Sequence, residues 1–187
     1  MLGSEYLNLQ VVHLTLEEEA ETGASRVKIA TVKNGASLTV EGEGVGLVDA
    51  LIAGLFRRWE IEYQSLRSIE LVSFQVHARF DTKKRRAGGD AICEVTLDVK
   101  NSEGAVFTFS DSSRSVAMSS ARAVIAAVEY FVNAERAFIT LYRSRQDARE
   151  RSRDDLVTRY TEELAEVVKS TSYAEVIETI KKELGED

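Results

Sequence analysis

A glycine-rich segment, residues 41–50 with the sequence EGEGVGLVDA, has the composition of a ligand-binding junction. Between a strand and a helix, glycines let the backbone approach a ligand closely, and free helix N–H groups can receive a carboxylate. A dinucleotide-binding G-x-G-x-x-G fingerprint would need glycine where Leu47 or Asp49 stands, and no G-K-[ST] follows. The segment therefore predicts either an anion-accepting junction or a tight strand-to-helix turn without a ligand.

A second polar segment, residues 111–115 with the sequence DSSRS, also precedes an apolar helical pattern. Its hydroxyl groups can cap the N-terminus of that helix, since a serine oxygen accepts a hydrogen bond from an N–H group of the first turn. Alternatively, the hydroxyls line a pocket of the same kind as the first segment. The pattern leaves both interpretations open.

The remaining reactive side chains do not form a recognisable site. His13 and His77 are far apart in the sequence and belong to no metal-binding motif, which predicts ordinary sheet histidines and no metal or other cofactor. Cys93 falls on the apolar face of a predicted strand, which favours a buried, inert thiol. The cationic run at residues 83–86 (KKRR) is interpreted as a solvated hairpin tip. With no Ser/His/Asp set and no carboxylate pair at a defined spacing, we predict that the chain is not an enzyme.

Length and charge narrow the functional classes. The chain has 187 residues, no proline and a formal net charge of -7. It is too short for a (β/α)₈ barrel of typically about 250 residues, and its acidic balance argues against nucleic-acid binding. No uninterrupted apolar run reaches the roughly 20 residues that cross a membrane. A single cysteine and a polar N-terminal sequence predict a cytoplasmic protein.

The hydrophobic periodicity predicts a repeated order of elements, βββα-βββα. Alternating patterns predict strands, and recurrence at i, i+3, i+4 and i+7 predicts amphipathic helices. A phase shift in the first strand predicts a bulge or a strand covered on both sides. The fold class is therefore α+β, with two pseudo-symmetric units of antiparallel strands and helices gathered on one face. The predicted strands cover residues 5–16, 25–33, 36–41, 70–80, 91–99 and 105–109, and the helices cover residues 47–59 and 116–141.

The composition changes beyond residue 143. Residues 143–159 hold six arginines and four acidic residues, a mixture that predicts a solvated, salt-bridged helix rather than a nucleic-acid-binding arm. Apolar positions continue at helical spacing on both sides of a serine-containing break at residues 170–172, which predicts two C-terminal helices. We therefore divide the chain into a βββα-βββα module, residues 1–143, and a helical extension, residues 144–187.

Three motifs carry a resemblance to a known family. Residues 44–50 match G-x-G-P-V-D-A with Leu47 in place of proline, and residues 90–95 match D-A-x-x-x-V. Residues 113–124 are similar to S-T-D-I-I-x-A-S-A-x-A-Y with Ser115 in place of aspartate. Over residues 5–140, the chain resembles the C-terminal regulatory domain of the 2-isopropylmalate synthase and citramalate synthase family.

The resemblance implies a homodimer that binds a branched-chain amino acid, such as leucine or isoleucine, as a feedback effector near the dimer interface. It also implies regulation of a separate catalytic synthase chain, because this length excludes the metal-dependent barrel of those enzymes. The effector-binding residues that it implies are Gly44, Gly46, Leu47, Asp49, Ala50, Ser113, Ser115 and Ser120.

Two other functions stay open at the level of sequence. A structural dimerisation module that has lost ligand binding would explain the serine at position 115. An enzyme would rest only on a cleft near Asp49.

Overall fold

The computed structural model describes residues 2–33, 35–79 and 91–171. Within these residues the fold is α+β, as predicted, with two three-stranded antiparallel sheets and three α-helices. The cationic run at residues 83–86, Asp90 and the second C-terminal helix lie outside the described residues. In chain order the elements are β1 (Gln10–Glu19), β2 (Ala24–Lys33), β3 (Ala36–Val45), α1 (Leu47–Glu60), β4 (Glu70–Arg79), β5 (Ile92–Lys100), β6 (Val106–Ser113), α2 (Val116–Glu150) and α3 (Asp154–Thr171).

The two sheets share one topology, β1-β2-β3 and β4-β5-β6, in which each strand pairs with its neighbour in sequence. Their first strands share an irregularity as well. The register shifts between Val11 and His13 in β1, and between Leu71 and Ser73 in β4. A β-bulge changes the phase of the side chains, so the phase shift in the sequence reflects a bulge. Its recurrence near the start of both edge strands supports the internal repeat.

Each helix packs on the inner face of its own sheet. Helix α1 lies against β3 and β2, α2 lies against β5 and β6, and the two helices contact each other. Four small residues of α2 are fully buried and let neighbouring elements approach closely: Ser119, Ser120, Ala123 and Ala127. The shared core includes Val27, Ile29, Leu51, Leu55, Val95, Leu97, Ala123, Val124, Ala127, Val128 and Phe131.

Leu7 and Leu9, which precede β1, are buried without belonging to the sheet, so the prediction of a strand from residue 5 is wrong for residues 5–9. The N–H of Leu7 donates to Asn133 Oδ1 at 2.7 Å, and Asn133 Nδ2 donates back to Leu7 O at 2.9 Å. The N–H of Leu9 donates to the carboxylate of Glu129. Side chains of α2 therefore provide the hydrogen bonds that a neighbouring strand would otherwise supply.

Glu129 makes this attachment sensitive to pH. Burial raises the pKa of its carboxyl above the ordinary value of 4.5, and the hydrogen bond from Leu9 opposes the shift only in part. The folded state therefore holds this proton more tightly than the unfolded state does, and the difference contributes to the free energy of unfolding. This contribution is complete below the pKa of the carboxyl in the unfolded state and is lost as the pH rises through its pKa in the folded state.

We therefore expect Glu129→Gln, which keeps an acceptor for Leu9, to equal or exceed the wild type in stability at pH 7. The gain should stay below about 1 kcal/mol, because the carboxyl is only partly buried and solvent screens it. Denaturant unfolding between pH 4 and pH 8 measures the difference. The difference in stability between Glu129→Gln and the wild type should shrink as the pH falls and the carboxyl becomes protonated. A difference independent of pH would contradict the raised pKa of Glu129.

Helix α2 continues beyond the predicted end at residue 141. Its 35 residues span roughly 52 Å at about 1.5 Å per residue. The C-terminal half packs against α3 through a small core of Phe138, Leu141, Tyr142 and Leu164. The first predicted C-terminal helix is thus confirmed as α3. The predicted division after residue 143 falls inside α2, and the division of the chain into a module and an extension stays a prediction.

Candidate functional site

The first junction is tighter than the sequence suggests. Strand β3 continues to Val45 and α1 begins at Leu47, so the predicted loop is reduced to Gly46 and is wrong for residues 41–45. Gly46 has φ 87°, a conformation that favours glycine, and its N–H donates to Gly23 O at 3.2 Å. A single residue therefore turns the chain from the strand into the helix.

The glycines of β3 let α1 lie directly on the strand. A Cβ atom at Gly42 would lie 2.1 Å from Ala50 O, and one at Gly44 would lie 2.6 Å from Ala50 N. On the helix side, a Cβ atom at Gly54 would lie 2.9 Å from Glu41 O. In this structure the close approach allowed by these glycines serves the contact between helix and strand.

Asp49 stabilises the same junction. Its Oδ2 accepts a hydrogen bond of 2.9 Å from the N–H of Val45, just before the helix. Asp49 is the third residue of α1, and its bond to a backbone N–H before the helix resembles half of a capping box. Its negative charge also interacts favourably with the positive end of the helix dipole. Asp49 is a predicted effector-binding residue, and one of its carboxylate oxygens is therefore already bonded within the junction.

The second junction is built from serine hydroxyls. Ser115 is the N-cap of α2, and its Oγ accepts a hydrogen bond of 3.2 Å from the N–H of Met118. Ser113 Oγ donates to Ser115 O at 3.0 Å, and Ser119 Oγ donates to Ser113 Oγ at 2.8 Å. The capping role predicted for these hydroxyls is confirmed. Their ligand-binding role stays a prediction.

Aligning the two units by their N-caps, Gly46 and Ser115, shows how the junctions differ. Four residues before the N-cap, the first unit has Gly42 and the second has Asp111. Two residues before it, Gly44 corresponds to Ser113. The second unit thus carries polar side chains where the first has close contact between helix and strand.

Asp111 and Arg122 extend the second junction into a polar cluster. Asp111 follows Phe107 and Phe109 at the alternating positions of β6 that face α2. Arg122 lies seven residues after Ser115, on the same face of the helix, and its Nη1 is 3.7 Å from Asp111 Oδ2. We call residues Asp111, Ser113, Ser115, Ser119 and Arg122 the β6–α2 cluster. Asp111, Ser119 and Arg122 are not among the effector-binding residues predicted from the sequence, although the period of two in β6 is a usable signal for Asp111.

The predicted effector residues fall into two groups. Gly44, Gly46, Leu47, Asp49 and Ala50 meet at the first junction, and Ser113 and Ser115 meet at the second. Ser120 is buried in α2, where its Oγ donates to Val116 O at 2.7 Å. The hydrogen bonds described for the second junction close within it, whereas Gly46 of the first junction also binds Gly23. A single site that uses both groups stays a prediction.

A cleft of about 380 Å³ on the first sheet is lined by charged side chains. Lys28 pairs with Glu41 at 2.7 Å, and Arg26 pairs with Glu43. These cross-strand pairs are exposed to solvent, so they contribute little to stability. Since the paired charges neutralise one another, the cleft favours no particular ligand charge.

The arginines of residues 143–159 lie in the last turns of α2, in the turn at residues 151–153 and in the first turns of α3. Arg151 pairs with Asp147, Arg153 with Asp155 and Arg159 with Glu163, each at 2.8 Å. The salt-bridged interpretation of this segment is therefore confirmed for these three arginines.

The other sequence-derived candidates lie in ordinary positions. His13 and His77 are exposed on β1 and β4, and each ring lies 3.3 Å from a polar side chain of its own strand. Cys93 is buried, as predicted. Among the described residues, no helix is long and apolar enough to cross a membrane.

Two βββα units with packed helices and tight strand-to-helix junctions define a repeated α+β domain. The model of the LeuA allosteric (dimerisation) domain matches residues 2–132. The chain belongs to this family, which confirms the resemblance seen in the motifs. A comparison with curated proteins gave no match. The match ends within α2, so α3 and the α2 segment that it covers lie outside the family domain.

Proposed function

We propose that this protein is a non-catalytic regulatory module that forms a homodimer in the cytoplasm. It binds a branched-chain amino acid, or a similar small metabolite, at the dimer interface and regulates a separate catalytic chain. The observation that carries the proposal is the family match across both βββα units. The chemistry is suitable, because a helix N-terminus favours a carboxylate and an apolar surface favours a branched side chain.

Exposed apolar side chains beside both junctions support a partner or ligand there. Val45, immediately before the N-cap of α1, is 79% exposed. Val116, the first residue of α2, is 39% exposed. The edge strand β4 also exposes Leu71 and Val76, whose burial in a dimer would remove apolar surface from water.

The proposal predicts a dimer in solution and a saturable response to one branched-chain amino acid. Size-exclusion chromatography with light scattering measures the mass, and calorimetry with leucine, isoleucine and valine measures binding. At a concentration of 100 times Kd, the ligand should stabilise the folded protein by about 2.7 kcal/mol. A monomer would reject dimerisation. Failure of all three amino acids would reject a branched-chain effector.

A structural dimerisation module without an effector is the second candidate. It is favoured by the first junction, where α1 occupies the space above Gly42 and Gly44 and Asp49 binds Val45. This candidate predicts a dimer whose mass and unfolding midpoint do not respond to amino acids. Both candidates predict a dimer, so the calorimetry with amino acids is the measurement that separates them.

A further inference from the structure

The β6–α2 cluster contains a buried carboxylate oxygen without a hydrogen-bond donor. Among the described residues, none donates to Asp111 Oδ2, although this atom is buried. Arg122 Nη1, at 3.7 Å, is close enough for attraction and too far for a hydrogen bond. Leaving a buried charged acceptor unsatisfied is costly, so such an atom requires an explanation.

The neighbouring hydroxyls do not satisfy this oxygen because they bind elsewhere. Ser113 Oγ donates to Ser115 O, and Ser119 Oγ donates to Ser113 Oγ. Ser115 Oγ accepts from a helix N–H. The hydrogen bonds of these serines therefore run among themselves and to the helix backbone, and Asp111 and Arg122 are the two charged groups of the cluster.

We propose that Asp111 and Arg122 recognise the zwitterionic end of an amino acid. Asp111 Oδ2 accepts a hydrogen bond from the α-ammonium group, and the guanidinium of Arg122 donates to the α-carboxylate. The ammonium and the carboxylate of an amino acid are attached to the same carbon atom. Such closely spaced groups match Asp111 Oδ2 and Arg122 Nη1, which are 3.7 Å apart. Charge-assisted hydrogen bonds of this kind are stronger than neutral ones.

This inference rests on the proposed function, since it requires an amino-acid effector. It adds that, within the described residues, this charge pair belongs to the second unit, because Gly42 stands in the first unit where Asp111 stands in the second. Arg122 is 46% exposed, so it can move toward a ligand carboxylate without disrupting the core.

The test compares leucine with 4-methylpentanoate, which lacks the ammonium group, and with 3-methylbutylamine, which lacks the carboxylate. In calorimetry the wild type should bind leucine at least tenfold more tightly than either analogue. Asp111→Asn should weaken leucine binding at least tenfold and leave 4-methylpentanoate unchanged. Arg122→Gln should also weaken leucine binding at least tenfold, and it should leave the binding of 3-methylbutylamine unchanged. Asp98→Asn, which changes a carboxylate on β5 that accepts from Thr108, is the matched control and should bind leucine like the wild type.

The outcomes separate this inference from the proposed function. If the wild type binds leucine and Asp111→Asn binds it equally well, the charge pair is overturned and the proposed function stands. If the wild type binds no branched-chain amino acid, both fail. Without ligand, Asp111→Asn should unfold at the same or a higher denaturant concentration than the wild type. A clear loss of stability would instead assign Asp111 a structural role and overturn the inference.

Discussion

Replacing Gly42 with alanine is expected to disrupt the first βββα unit. The added Cβ would lie 2.1 Å from Ala50 O and 2.6 Å from Gly54 N, and both atoms belong to the backbone of α1. Helix α1 cannot withdraw easily, because Leu51 and Leu55 on its inner face are fully buried. We expect a loss of at least about 3 kcal/mol, the upper end of the usual cost of overpacking. Circular dichroism with denaturant unfolding measures it.

Glu43→Ala is the matched control for this prediction. Glu43 is adjacent to Gly42 in β3, but its side chain is exposed and pairs with Arg26. Its loss should change stability by less than about 1 kcal/mol. Gly54→Ala, whose Cβ would lie 2.9 Å from Glu41 O, should fall between the two. Wild-type stability for Gly42→Ala would show that α1 does not lie this close to β3.

These glycines show why the first junction was only partly predictable. The motif correctly located the transition from strand to helix, because helical periodicity begins at Leu47. It gave the wrong extent of β3, because glycine adds nothing to the alternating pattern of a strand. Glycine within a strand often marks the close approach of another backbone, and here the partner is a helix that only the tertiary structure identifies.

The second junction was predictable in a different way. Serines before a helix indicate capping, and Ser115 performs that role through a local bond to Met118. The pairing of Asp111 with Arg122 depends on the separation between β6 and α2, which no local pattern specifies. The sequence therefore identifies the residues that cap a helix more readily than those that face one another across two elements.

The prediction of a strand at residues 5–9 was wrong because of contacts with residues far away in the sequence. Leu7 and Leu9 alternate as strand residues do, yet their backbone groups bind Asn133 and Glu129 of α2. Periodicity predicts which side chains are buried, and both leucines are indeed buried. It does not predict the partner of a backbone N–H, because an Asn side chain more than a hundred residues away can replace a neighbouring strand.

Because Asn133 takes the place of a neighbouring strand, the substitution Asn133→Ala is the second change expected to cause a large loss of stability. The Asn133 amide satisfies both the N–H and the C=O of Leu7, a residue with no exposed surface. Alanine would leave two buried backbone groups unpaired, at about 1–3 kcal/mol each. We expect a total loss of roughly 2–4 kcal/mol because the N-terminal segment can relax outward. Denaturant unfolding measures the loss, and hydrogen exchange should show faster exchange at Leu7.

Thr140→Ala provides the control for Asn133 on the same helix. Thr140 Oγ1 donates to Arg136 O within α2, so its removal breaks no contact with another element. We expect it to cost less than about 1 kcal/mol. If Asn133→Ala cost no more than Thr140→Ala, the segment before β1 would be held by the burial of its leucines alone. A cost several times larger would show that one α2 amide takes the place of a sheet partner.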